Sequence, residues 1–331
     1  MRLSIIFFSL FFLLLSCDKK NELSLIPVKD INPESRKVIS MDLETYDLGG
    51  GLLSPGYFDV DNNVIHVADF KDHGIYRGNL VTEVVELNKI AGRKGSGPGE
   101  FEDISDIQVL NNSILISDEN RARLNKFSLE GEFENSYAGK NFQIHRFVAL
   151  DLNHVITLSF LEGEYVIKVI DAEKDRVKQN FLKKDNDLSP IVYEGKIAAN
   201  KNGEIFYSGF SEPVLIKFSE DGEKQFSVDH VDSYSSLTNY IKMDTGNGFS
   251  SFRYSPTAEF YTISSAYLNE MVCILEKRGE DKYVDFYNSG NGKYQYSIEV
   301  SSKAIELDVD EGNLFILNLT IPNTSLDRVS F

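Results

Sequence analysis

The chain has 331 residues, of which 42% are hydrophobic and 12% aromatic, a composition that supports a large buried core and excludes a disordered chain. Its formal net charge is −17, from 34 Lys and Arg against 51 Asp and Glu. Because proteins bind nucleic acid mainly through basic side chains on phosphates, this charge excludes nucleic acid as the expected partner.

The N-terminus predicts a targeting signal. Arg2 precedes residues 3–15, which are apolar except for two Ser, and this run is too short to span a bilayer. The run ends in LLLSC, which resembles the lipobox of bacterial lipoproteins, although Leu15 is bulkier than the usual small residue. The resemblance implies that Cys17 becomes the first mature residue and carries the lipid. The alternative is an ordinary secretory signal that happens to contain a Cys.

From these features we divide the chain into three parts. Residues 1–16 are the expected lipoprotein signal peptide, residues 17–35 a polar tether with two Pro, and residues 36–331 the folded domain. A short strand at residues 23–28 is the only structure we would consider in the tether. We expect a cell-envelope protein facing outside the cytoplasm, in the outer membrane, which contacts the membrane only through its lipid.

A short pattern recurs through the folded domain: a turn, a run of alternating apolar residues and a polar loop. Residues 62–69 (NNVIHVAD) and 111–118 (NNSILISD) are its clearest copies. The first apolar residue after the turn marks six copies, at Ile65, Ile114, Val155, Ile205, Met271 and Leu314. The spacing is 41–50 residues except for one gap of 66, which an insertion at residues 232–253 explains. A period of this length is typical of repeat architectures.

Each copy contains four short β runs, which predicts a six-bladed β-propeller and an all-β, monomeric domain. After Leu314 only two strands remain, so the last blade lacks its outer strand. We predict that residues 36–44 (RKVISMDLE) complete that blade and close the ring. Two local predictions accompany this fold: the inner strand of the fifth blade at residues 258–264, and a helical turn at residues 236–243 within the insertion.

One blade resembles a known repeat. The segment GRKGSGPGEF and the strands after it resemble the NHL-type blade, and the matching residues are Gly97, Pro98, Gly99, Glu100, Phe101, Asp118, Asn120, Arg121, Phe127 and Gly131. Asn120 and Arg121 are adjacent, whereas the family pattern spaces them by one residue. Together with the lipobox, the chain resembles six-bladed propeller lipoproteins of the NHL-repeat-like (TolB-like) type, although the specific match covers a single blade.

Charged residues gather in loops that a propeller places on one face, the loops between strands two and three and the crossings between blades. The resulting candidate binding face comprises Asp69, Lys71, His73, Arg93, Lys94, Asp118 and Arg121. The alternative is structural: an Asp at a strand end often caps its own turn, and Arg121 could pair with Asp118.

The sequence contains no catalytic constellation. Cys273 lies alone in an apolar run and is expected to be a small buried hydrophobe. The five His show no ligand spacing, although His66 could line a face or the central channel. Residues 95–99 lack the Lys of a phosphate-binding loop and read as a crossing turn. Residues 59–63 (DVDNN) lack the Gly and Glu of a calcium loop and read as a hairpin turn.

We therefore expect a binding module for a small ligand, peptide or envelope protein whose identity the sequence does not give, with no catalytic residue, metal or cofactor. Three alternatives stay open: calcium as a cofactor, a hydrolase or lyase with a metal in the axial channel, and a structural partner in an envelope complex.

Overall fold

The computed structural model describes residues 36–138, 144–159, 164–185, 190–210, 212–231, 240–244, 250–254, 262–320 and 323–331. These residues form six sheets of four or five strands arranged in a ring, a six-bladed β-propeller as the repeat predicts, and one separate two-stranded sheet. The predicted signal peptide, Cys17 and the tether lie outside the described residues. No helix in the described part of the chain is long and apolar enough to cross a membrane.

Each blade is a meander whose strands follow one another from the axis to the rim. Blades one to three contain β3 (Pro55–Asp61), β4 (Val64–Asp69), β5 (Gly74–Asn79), β6 (Asn88–Ala91), β7 (Ile104–Leu110), β8 (Ser113–Asp118), β9 (Arg123–Ser128), β10 (Phe133–Ala138), β11 (Arg146–Asp151), β12 (His154–Leu158), β13 (Tyr165–Asp171) and β14 (Arg176–Lys183). Blades four to six contain β15 (Gly195–Ala199), β16 (Ile205–Gly209), β17 (Val214–Phe218), β18 (Lys224–Asp229), β21 (Thr262–Leu268), β22 (Met271–Arg278), β23 (Asp281–Asn288), β24 (Tyr294–Val300), β25 (Ala304–Asp310), β26 (Asn313–Asn318) and β27 (Ser325–Ser330). Two 3-10 turns accompany these strands, at Glu119–Arg121 and Pro190–Tyr193.

The recurring Asn-Asn turn has a conformational cause. Asn62 and Asn63 have φ values of 52° and 59°, and Asn111 and Asn112 have values of 50° and 61°. Two consecutive residues with positive φ are characteristic of the tight hairpin turns that match strand twist, and Asn tolerates this conformation better than most residues. The hairpin interpretation of residues 59–63 is confirmed.

The hydrophobic cores lie between neighbouring blades. Ile65 and Val67 of β4 pack into the cluster shared with the sixth blade, whereas Ala68 packs into the cluster shared with the second. Every residue of β8 and of β16 is buried. Stacking the blades therefore buries both faces of each sheet, which an isolated four-stranded sheet would leave exposed.

The N-terminal segment closes the ring, as predicted, but with different bounds. The closing strand is β2 (Glu44–Asp47), which pairs antiparallel with β27 of the sixth blade. β1 (Val38–Ile39) instead pairs parallel with β24, so the fifth blade has five strands. The prediction of residues 36–44 as the closing strand is wrong because Ile39 packs in the core between the fifth and sixth blades, whereas Tyr46 and Leu48 fill the core between the sixth and first.

Two local predictions are corrected. The inner strand of the fifth blade runs over Thr262–Leu268 rather than residues 258–264, of which 258–261 lie outside the described residues. Its buried positions include Thr262 and Ser264, small polar residues that do not mark a core strand by sequence. Residues 240–243 belong to β19 (Tyr240–Asp244), which forms a hairpin with β20 (Ser250–Tyr254). They are not helical because this hairpin pairs them residue for residue; residues 236–239 lie outside the description.

Candidate ligand site in the axial channel

A cavity runs along the axis of the ring. Each inner strand contacts the inner strand of the next blade, and all six inner strands, β3, β7, β11, β15, β21 and β25, contribute lining residues. The cavity has a volume of about 320 Å³. A concave site that combines apolar walls with a few polar groups is the usual place for a ligand in a protein of this shape.

Polar side chains hold the inner strands together around this cavity. Side chains of the preceding blade accept hydrogen bonds from backbone amides of four inner strands, β3, β7, β11 and β25. The Asp308 carboxylate accepts one from the Val60 amide at 2.5 Å, and the Asp106 carboxylate accepts one from the Phe147 amide at 3.0 Å. The same contact joins Asp59 to Val109, Gln108 to Ala149 and Ser264 to Leu307. Because buried amides need partners, these side chains stabilise the ring.

The half of the channel at the C-terminal ends of the inner strands is acidic. Asp59 and Asp61 of β3 lie there with Asp308 and Asp310 of β25. Burial raises the pKa of Asp308 to about 7, and burial together with the charge of Asp308 raises the pKa of Asp59 well above its ordinary value. Burial therefore favours the protonated form of Asp59 and of Asp308 relative to an ordinary Asp side chain.

The half of the channel at the N-terminal ends of these strands carries both signs of charge around one aromatic ring. The Arg146 guanidinium lies 4.2 Å from the centre of the Tyr57 ring, and the Lys196 ammonium lies 5.6 Å from it. Lys196 forms an ion pair with Glu306 at 2.8 Å. Burial lowers the pKa of Arg146 to about 10 and also lowers the pKa of Lys196. We call Tyr57, Arg146, Lys196 and Glu306 the charged collar.

The collar leads into a second cavity, which we call the mouth. The mouth has a volume of about 330 Å³ and shares the four collar residues with the channel, so the two spaces meet at this layer. Apolar side chains line the mouth: Phe70, Phe210, Ile263, Ile305 and Leu319. Glu194 also faces this space. The arrangement can accept a small molecule that has an apolar body and a charged group.

Two residues of the predicted binding face are buried structural caps. The Asp69 carboxylate accepts hydrogen bonds from the amides of Leu53 and Ser54 and from two amides of its own turn. The Asp118 carboxylate accepts two amides of the preceding crossing loop and pairs with Arg123 at 3.0 Å. Both Asp side chains are fully buried and hydrogen-bonded to the chain itself, so they stabilise their own turns, as the capping alternative predicts.

The other residues of that face lie around the mouth rather than in it. Lys71, Arg93, Lys94 and Arg121 are exposed and His73 is half-buried, and none of the seven predicted residues lines the channel or the mouth. Arg121 pairs with Glu102, not with Asp118. Their role in binding stays a prediction.

The Gly-rich segment is a crossing turn. The Glu100 carboxylate accepts a hydrogen bond from the Gly97 amide at 2.7 Å and forms an ion pair with Arg93 at 2.7 Å. The Gly97 amide is therefore already hydrogen-bonded within the loop and does not point at a phosphate site.

The remaining candidates for chemistry are potential metal ligands and the thiol of Cys273, which is free and buried. Among the described residues, no group of three His, Cys, Asp or Glu side chains is arranged to hold a metal ion. The metal-dependent hydrolase or lyase stays an alternative. His66 is buried within β4 and does not line the channel, and burial lowers its pKa to about 4. Cys273 is fully buried, as predicted, and burial raises the pKa of its thiol.

The sequence reasoning missed the collar. Arg146, Lys196 and Glu306 belong to the third, fourth and sixth blades, and no sequence motif connects them. One sequence signal could have identified two of these residues. The inner strands RFVALD and GKIAA each contain a long charged side chain, whereas apolar or small residues are expected in the strand nearest the axis.

Comparisons with known proteins support the fold. No protein-family model matches the chain, and no curated protein matches it. Solved structures do: a protein of Bacteroides fragilis described as exported is 13% identical, with a TM-score of 0.57 over 92% of this chain and 97% of that one. A member of the DUF4221 family from Bacteroides vulgatus is 12% identical, with a TM-score of 0.59 over 89% and 97%.

A third similar structure is virginiamycin B lyase from Staphylococcus aureus, 10% identical, with a TM-score of 0.53 over 88% of this chain and all of that one. At these identities the likeness concerns the fold alone, because one propeller fold supports unrelated functions.

Proposed function

We propose that this chain is an exported, lipid-anchored binding module and that the axial channel with its mouth is its ligand site. The observation that carries the proposal is the cavity itself, which all six blades line and which combines apolar walls with a charged collar. Small-molecule sites have this composition and a volume of a few hundred Å³. The collar belongs to rigid strands, which hold a binding site more firmly than loops do.

Two features support a location outside the cytoplasm. Residues 13–17 have the lipobox pattern, and one solved structure of the same fold is described as an exported protein. The NHL-like blade at residues 92–131 fits the same class of lipoproteins. A lipid on Cys17 would hold the propeller at the membrane of the cell envelope, and we place it in the outer membrane.

Replacement of Cys17 tests the anchor. The Cys17→Ser variant should move from the membrane fraction to the soluble fraction, because the acyl chains would be the attachment. Cell fractionation followed by immunoblotting measures this, with Cys273→Ser as the matched control, since that thiol is buried in the fold. A Cys17→Ser protein that stays with the membrane contradicts lipid anchoring.

A plug in the channel tests the ligand site. Ser265 lines the cavity, so Ser265→Phe should fill it, whereas Ser96→Phe adds the same ring to an exposed loop. We expect some amino acids, sugars, nucleosides or carboxylic acids to raise the Tm of the full chain and of Ser96→Phe but not of Ser265→Phe. Ligands that still bind the plugged variant would place the site elsewhere.

A further inference from the structure

Among the residues that the structure describes, one cation of the charged collar has no ion-pair partner. The Arg146 guanidinium donates one hydrogen bond, to the Ser105 carbonyl, and stacks on Tyr57. No carboxylate in the described part of the chain lies within 4 Å of it, although Glu194 and Glu306 act on it from a longer distance. Arg146 is half-buried. A guanidinium that is partly removed from water without a carboxylate partner carries a desolvation cost, and a ligand oxyanion would offset this cost.

The remaining cation of the collar is already neutralised. Lys196 pairs with Glu306, and both side chains are nearly buried, at 12% and 13% exposure. The Asp106 carboxyl also acts on Lys196, but burial raises the pKa of Asp106 to about 7, which reduces its charge at neutral pH. Arg146 is therefore the group with hydrogen-bonding capacity to spare, and Glu306 limits how strongly Lys196 can attract an anion.

The geometry favours an oxyanion that presents two oxygens over a simple point charge. A guanidinium presents two parallel N–H donors that match the two oxygens of a carboxylate or a phosphate. Tyr57 supports one side of the guanidinium, and the edge of Phe70 meets the Tyr57 ring at 5.1 Å. These contacts hold the side chain in place and lower the entropy lost when a ligand binds.

The mouth specifies the rest of the ligand. Phe70, Phe210, Ile263, Ile305 and Leu319 form its apolar wall, and the space of about 330 Å³ suits a small molecule rather than a polymer. Burial of an apolar body there would contribute in proportion to the area removed from water.

We propose that the collar and mouth bind a small amphiphilic oxyanion, a carboxylic acid or a phosphate monoester, with its anionic group on Arg146 and its apolar body against the mouth. This inference rests on the proposed function of the channel and names the class of ligand. It does not depend on the lipid anchor.

Binding to defined probes tests the proposal. The purified full chain in detergent is titrated with hexanoate, phenylacetate, phenyl phosphate, inorganic phosphate and neutral phenylacetamide, and binding is measured by calorimetry and by the shift in Tm. Hexanoate, phenylacetate or phenyl phosphate should bind saturably and raise the Tm. Phenylacetamide and inorganic phosphate should bind at least about tenfold more weakly, since one lacks the charge and the other the apolar body. The comparison of phenylacetate with phenyl phosphate distinguishes a carboxylate site from a phosphate site.

Variants of the collar assign the site. Arg146→Met should weaken binding of the preferred probe at least about tenfold, and Arg146→Lys should lie between it and the wild type, because Lys keeps the charge but not the fork. The control Arg176→Met removes an exposed guanidinium from the outer strand of the third blade and should leave the affinity unchanged. Glu306→Gln should tighten binding by about three- to tenfold, because Lys196 then attracts the anion without competition.

The gain in Glu306→Gln keeps the test decisive if Arg146→Met fails to fold. Weaker or unchanged binding in Glu306→Gln overturns the proposal, as does equal binding of phenylacetate and phenylacetamide, or the absence of binding by all the anionic probes. If other compounds bind and Ser265→Phe abolishes that binding, the channel remains the ligand site and only the oxyanion assignment falls. If neither Ser265→Phe nor Arg146→Met weakens the binding of any compound, the proposed function of the channel and its mouth falls as well.

Discussion

Asp106 shows how one carboxyl can join two blades and also make stability depend on pH. It lies on the inner strand of the second blade, and its carboxylate accepts the Phe147 amide of the third. Burial raises its pKa to about 7, despite this hydrogen bond and the nearby Lys196, while Glu306 acts in the same direction as burial. The hydrogen bond from the Phe147 amide requires only an acceptor oxygen. The negative charge of a buried Asp106 therefore lowers the stability of the folded state.

We expect Asp106→Asn to stabilise the protein at pH 8 by about 1–3 kcal/mol and to change stability little at pH 4. The folded pKa lies above the ordinary value of 3.8, so the folded state binds this proton more tightly than the unfolded state does. The contribution of Asp106 to stability therefore falls as the pH rises from about 4 to about 7 and is constant above that. Asn removes the charge and keeps an acceptor oxygen for the Phe147 amide, although it loses the local hydrogen bond that the second carboxylate oxygen accepts from the Ile107 amide.

Urea denaturation at both pH values measures the effect. Asp221→Asn, at an exposed turn, serves as the control and should change stability equally and slightly at both. A destabilised Asp106→Asn at pH 8 would show that the ionised carboxylate is the form that the ring requires.

At the scale of the element, the strand β1 and Arg36, two residues before it, attach the N-terminal segment to the fifth blade. Arg36 hydrogen-bonds to Asp285 and, at 3.1 Å, to the Ser297 hydroxyl, and its guanidinium lies 4.5 Å from the centre of the Tyr283 ring. Asp285 and the neighbouring Glu276 are fully buried. The backbone pairing of a two-residue strand contributes little stability alone. The contacts of the Arg36 side chain therefore provide additional attachment of this segment to the fifth blade.

Arg36→Met should destabilise the domain by about 3–5 kcal/mol, because it leaves two buried carboxyls without one of their cations. Lys37→Met, one residue further along the same segment and exposed, should change stability by less than about 0.5 kcal/mol. Chemical denaturation measures both.

A second substitution separates the charge from the packing. Asp285→Asn introduced together with Arg36→Met should recover part of the lost stability, because the uncompensated carboxyl is then removed. If the double variant is as unstable as the sum of the two single variants, the two side chains are not energetically coupled.

At the scale of the whole molecule, the N-terminal segment adds one strand to each of two adjacent blades. β1 extends the fifth blade and β2 completes the sixth, so adjacent blades share one short stretch of chain. The inner strands are also joined by side chain to amide contacts from one blade to the next. An open array of repeats can unfold from either end, but a closed ring has no free end, which favours a cooperative transition.

The ring also creates a chemical environment that the composition does not suggest. The molecule carries a net charge of −17, yet the collar places a guanidinium without an ion-pair partner among the described residues, next to an apolar mouth. Proteins of the same fold at 10–13% identity share the ring, and a site such as this one distinguishes the function of one propeller from that of another.

The repeat could be predicted from the sequence because it depends on interactions between residues that are close in the chain. Alternating apolar residues and Asn-Asn turns with positive φ depend only on neighbouring residues, so six blades, the buried Cys273 and the capping alternative for Asp69 and Asp118 could be predicted. Only the tertiary structure decided that Tyr46 rather than Ile39 marks the closing strand, since the shape of each inter-blade core selects which apolar residue it accepts. It alone decided the site as well: Arg146, Lys196 and Glu306 are separated by up to 160 residues and meet because ring closure brings their strands to one axis.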